Sequence, residues 1–201
     1  MNLKKLFFAA VIVLSANASF AQAPADSKVA THTVAINIAE VALLDLEVAS
    51  GTTAITLAGT NPTEAGLPMT FGAAATNESI WMNYSSILGN ETSRSVTVAI
   101  TTGDVPTGLK LTVLAAADAA AGAGTMGAAN GSAIILSGIL SGTAQNIITG
   151  VGSAYTGDGA AKGHKLTYQL GYATDAATDY ADLDLDNSDV LTITYTLTDT
   201  L

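Results

Sequence analysis

Six carboxylates crowd one stretch near the C-terminus, Asp175, Asp179, Asp182, Asp184, Asp186 and Asp189. Hard cations such as calcium gather several carboxylate oxygens, and Asp182-x-Asp184-x-Asp186 opens like an EF-hand loop. The pattern then departs: Asn187 stands where that loop turns on glycine, and Ile193 where it closes with a bidentate glutamate. Weak calcium binding by Asp182, Asp184 and Asp186 is the one metal expectation. A strand with an acidic outer face, Leu183 and Leu185 alternating with the aspartates, accounts for the same letters. No other cofactor is expected.

Aromatic side chains supply the second chemistry. Trp81, Tyr84 and Tyr155 are the candidate ligand contacts, because aromatic faces stack on the C–H-rich faces of sugars. The competing reading of Trp81 is a core anchor of a β-sandwich. His32 and His164 are the only histidines. No GxSxG or similar signature pairs either with a nucleophile, and His164 between Lys162 and Lys165 reads as part of a small basic spot. Gly150-x-Gly152 and Gly157-x-Gly159 match no phosphate-binding motif and read as loop. No catalytic residue is assigned, and the expectation is a protein that is not an enzyme. Asn77-Glu78-Ser79, Asn83-Tyr84-Ser85, Asn90-Glu91-Thr92 and Asn130-Gly131-Ser132 fit the N-glycosylation acceptor pattern, as chance does in a chain rich in Asn, Ser and Thr.

Strands must position these residues. In Val190–Thr198, Leu191, Ile193, Tyr195 and Leu197 fall on one side of an extended chain and four threonines on the other. The same alternation appears in Thr33–Ile38 (Val34, Ile36, Ile38), Leu44–Val48, Thr53–Leu57, Ser79–Ile87, Arg94–Thr101, Leu109–Val113 and Leu166–Tyr172. A change of phase between Ile38 and Leu44 implies a bulge or a crossing between sheets. Met69–Ala74 is a further candidate strand. Ile134–Leu136 and Gln145–Ile148 are short apolar pieces, and Ala58–Pro68 reads as loop. Arg94–Thr101 and Leu109–Val113, joined through Gly103-Asp104-Val105-Pro106, look like neighbours in one meander. Ala115–Gly131 and Gly150–Gly163 are glycine-rich and read as long surface loops. Amphipathic helical stripes are absent. The fold class is therefore all-β, an antiparallel, immunoglobulin-like β-sandwich of about ten short strands.

Residues 1–21 stand apart. Lys4 and Lys5, the apolar run Leu6–Leu14 and the small residues of Ser19-Phe20-Ala21 describe a signal peptide cleaved before Gln22. A single domain then spans 22–201. That run is too short to cross a bilayer, and no later segment is longer, so no membrane span is expected. Removing Lys4 and Lys5 leaves five basic residues against seventeen acidic ones, a formal charge of −12. An acidic chain repels phosphate backbones, which argues against nucleic acid as a partner. With no cysteine, disulfides, thiolate nucleophiles and thiolate metal sites are excluded.

The exported start, the strand Thr33–Ile38, Lys165-Leu166-Thr167-Tyr168-Gln169-Leu170 and the closing strand Val190–Leu197 together resemble bacterial surface and fimbrial β-sandwich proteins of the pilin and spore-coat-protein-U type. The resemblance implies an immunoglobulin-like sandwich placed outside the cell, at the surface or in the periplasm. The expected function is a structural or interaction protein, a fibre or matrix subunit that forms a homo-polymer through its terminal strands. Ala30–Ile38 is the candidate strand for exchange. The alternative is an adhesin or carbohydrate-binding module with a glycan as partner.

Overall fold

The computed structural model describes residues 28–138, 142–184 and 190–200. The chain divides into two compact units, 1–37 and 38–201. Of the first, residues 28–37 are exposed and belong to no strand.

The second unit is all-β, with eleven strands in two antiparallel sheets. β2 (Thr76–Ile87) is the spine of a seven-stranded sheet. β1 (Val41–Val48) pairs along one edge of it, from Val41↔Ile87 to Val48↔Ile80. The other edge takes β10 (His164–Tyr172) and, beyond it, β9 (Ala154–Tyr155). β4 (Leu109–Asp118) follows β10, β7 (Ile134–Ile135) follows β4, and β5 (Ala123–Gly124) pairs with β9. The second sheet runs β11 (Thr192–Thr200), β3 (Ser93–Thr102), β8 (Gln145–Val151), β6 (Ala128–Ala129). Among the described residues, the α-helical structure is one short turn, α1 (Ala176–Asp179), capped by the Asp175 side chain on the Thr178 N–H.

The period-two pattern decides which side chains meet. Ile80, Met82 and Tyr84 of β2, Leu111, Val113 and Ala115 of β4, and Leu166 and Tyr168 of β10 face Val96, Val98 and Ile100 of β3 and Ile147, Ile148 and Val151 of β8 in one buried cluster. Full burial of each large aliphatic chain contributes about 1.5–3 kcal/mol. Leu191, Ile193, Tyr195 and Leu197 of β11, and Leu44, Leu46 and Val48 of β1, pack against that cluster half-buried. Their sheets end at those strands.

Several expectations are corrected. Thr33–Ile38 alternates as a strand should, yet it forms none, because extended backbone becomes a strand only when a partner accepts its hydrogen bonds. The expected bulge before Leu44 is therefore absent, since regular pairing begins at Val41. Thr53–Leu57 is extended without a ladder, held by Ile55 and Leu57 against the core. Met69–Ala74 contributes one bridge, Thr60↔Thr70, and runs into a 3-10 turn at Ala73–Ala75. β3 and β4 are not neighbours. Alternation tells which residues face the core but not from which sheet, and these two strands face it from opposite sheets. The segment Ala115–Gly131 is less loop-like than its composition suggests, with β4 reaching Asp118 and two short strands pairing on β9 and β8. Glycine permits that approach: a Cβ on Gly122 would lie 1.6 Å from the Tyr155 carbonyl oxygen.

Candidate functional site

The sheets leave two free edges side by side. β1 has a ladder only with β2, and β11 only with β3. Between them lies an open cleft of about 260 Å³ lined by Leu44, Asp45 and Leu46 of β1, by Thr53, and by Tyr195 of β11. The Tyr195 hydroxyl crosses the core to the Tyr168 hydroxyl, 2.7 Å away, and so joins the two sheets beside the cleft. Burial raises Tyr195 well above the usual tyrosine range and pushes Tyr168 up to about 12.

One end of the seam is closed by Arg94. It stands in β3 in phase with Val96, Val98 and Ile100, and its side chain is 0% exposed. Nε donates to Asp199 Oδ1 of β11 at 2.8 Å. Nη1 donates to the Val41 carbonyl at 2.5 Å, Ser86 Oγ at 3.0 Å and the Ile87 carbonyl at 3.2 Å. Nη2 donates to Glu40 and lies 2.5 Å from Glu91 Oε1. The hydrogen bond to Asp199 leads the causes that hold the guanidinium above its usual range, while the backbone N–H groups of Glu91 and Gly89 hold the Glu91 carboxyl below its own. One oxygen each from Glu40, Glu91 and Asp199 falls within 4.8 Å of the others, a spacing that suits a cation, and the guanidinium of Arg94 already touches all three carboxylates. Sequence reading passed over this residue. The signal was an arginine on the apolar phase of a strand.

The other sequence candidates are dispersed. Asp182 is exposed in a 3-10 turn, Asp184 is exposed, and Asp186 lies outside the described residues. Tyr84 points into the core, which corrects its expected role as a ligand contact; its parity on β2 with Ile80 and Met82 is the reason. Burial, with the Asp118 charge second, pushes its hydroxyl upward. Trp81 falls on the opposite face, outside the core cluster. Tyr155 is exposed on β9.

His164 is not part of a surface basic spot. It is 1% exposed, donates from Nδ1 to the Ala116 carbonyl at 2.9 Å, and has Nε2 2.9 Å from the Tyr84 hydroxyl. That hydroxyl also donates to the Met126 carbonyl. The first residue of β10 thus tethers the glycine-rich segment after β4 to the sheet. Lys165, one position on, turns outward and pairs with Glu78 at 2.7 Å.

Among the described residues, no helix is long and apolar enough to cross a membrane. Comparison of the chain with models of known protein families, with curated proteins and with solved structures returns no match.

Proposed function

We propose that this chain is an exported, non-enzymatic structural protein of the bacterial surface, with an immunoglobulin-like sandwich. Copies assemble into a fibre or matrix when residues Ala30–Ile38 of one pair with the free edges beside the β1–β11 cleft of another. The observation that carries the reading is the exposure of Val34 (71%), Ile36 (81%) and Ile38 (78%) in a segment with the alternation of a strand and no ladder. Full burial of each such side chain contributes about 1.5–3 kcal/mol, and pairing with an open edge satisfies the main-chain groups at the same time. The likeness of style to pilin-type surface proteins adds to it.

The test is negative-stain microscopy with sedimentation of the leaderless chain, beside a form lacking Gln22–Ile38 and the full-length variant Ile36→Asp. Filaments are expected from the leaderless chain, and soluble monomers with an unchanged melting temperature from the other two. Filaments from the truncated form would reject the reading, as would a leaderless chain that stays monomeric at high concentration.

A further inference from the structure

The outer face of the seven-stranded sheet carries a second surface, and its argument does not depend on the assembly just proposed. Residues directly opposite one another in an antiparallel pair point to the same side, so the registers define rows across this face. One row is Glu47, Trp81, Lys165, on β1, β2 and β10. A row nearer the end of β2 is Leu43, Ser85, Tyr155, on β1, β2 and β9. Asp45 stands between the two on β1. Leu43 is 65% exposed and Tyr155 55%, and Trp81 packs on none of the core cluster. Four residues of β2 separate the rows, about 13 Å along a strand, a span longer than a single pyranose ring.

We propose that this face binds a neutral polysaccharide. Trp81 and Tyr155 offer two aromatic surfaces on one side of one sheet, and such surfaces stack on the apolar faces of sugar rings. Asp45 and Glu47 beside them accept hydrogen bonds, and sugar hydroxyls are donors. Charge selects among glycans. The chain carries a formal −10, the face presents Asp45 and Glu47, and its one cation, Lys165, is committed to Glu78. Uronate and sulfated chains are therefore repelled, and an uncharged one is accepted.

Trp81 is the only tryptophan, so intrinsic emission reports on this face alone. The leaderless chain is titrated with cellohexaose, chitohexaose and mannohexaose, with polygalacturonate as the anionic probe. Saturable quenching or a shift of the emission maximum is expected with at least one neutral hexasaccharide and with no polygalacturonate. Tyr155→Ala should weaken that binding about tenfold, a loss of roughly 1.4 kcal/mol. Trp81→Ala, followed by calorimetry with the same sugar, should weaken it at least as much without lowering the melting temperature. Unmoved emission with all three neutral probes at millimolar concentration would overturn the proposal. So would a preference for polygalacturonate, or full affinity in both variants.

Discussion

Replacing Arg94 by methionine keeps most of the side-chain volume and removes the guanidinium that closes the seam. The substitution strips hydrogen-bond donors from the Val41 and Ile87 carbonyls and from Ser86 Oγ, and leaves three carboxylates facing one another. Removing one partner of a buried ion pair costs about 3–5 kcal/mol. Here Glu40 and Asp199 have side chains 51% and 56% exposed, so water recovers part of that cost and the lower end applies, about 3 kcal/mol. For a chain of this size such a loss lowers the melting temperature by roughly 6–12 °C. Arg94→Lys retains the charge but not the planar fork of donors, and should lose only about 1–2 kcal/mol. Two further readouts separate electrostatics from packing. Raising salt to about 0.5 M screens the exposed carboxylates and should recover part of the methionine variant's loss. The Glu91 carboxyl is held below its usual range in the folded chain, so its contribution is present above the ordinary glutamate value near 4.3 and is lost as the pH falls through the folded one. The gap between wild type and variant should therefore narrow in acid. Differential scanning calorimetry checks all of this. A methionine variant melting within about 2 °C of wild type, or a loss that neither salt nor acid reduces, would refute the reasoning.

Gly163→Ala should be among the more damaging single-methyl additions. Gly163 has φ +61°, and a Cβ there would meet the Met82 carbonyl oxygen at 2.2 Å. A loss of about 1–3 kcal/mol is expected in chemical denaturation, and a neutral result would show that β2 and β10 can shift apart. Tyr84, Tyr168, Tyr172 and Tyr195 are all raised, with burial the largest cause. Their contribution to stability is complete below the unfolded value near 10 and is lost as the pH rises through their folded values. Ultraviolet titration should show these four ionising after an ordinary tyrosine, with unfolding in the same alkaline range. Four phenols ionising near 10 in a still-folded chain would contradict it.

The alternation of β2, β3, β4, β10 and β11 was legible because a strand with one buried face writes its burial directly into the residue order. What could not be read was pairing. β3 and β4 carry the same kind of pattern and occupy different sheets, since nothing in a period of two names the neighbour across the ladder. Thr33–Ile38 shows the same limit from the other side, a strand pattern without a strand. His164 was misread because flanking lysines describe a chain segment, whereas burial depends on parity, and His164 shares its face with Leu166 and Tyr168. Arg94 was misread because the eye drops a charged residue from an apolar series, although its parity with Val96 places it inside. Trp81 and Tyr84 could have been separated by counting alone, one even and one odd along β2.

Arg94 holds Glu40, just ahead of β1, and Asp199, in the last strand, at one spot. A pull applied between these two points therefore starts and finishes at the same pole of the molecule. It would peel β11 from β3 one rung after another, beginning at the Thr200↔Ser93 pair, instead of sliding a whole ladder in shear. Mechanical resistance along that line rests on the first rung and the guanidinium beside it, and yields at low force once that contact opens.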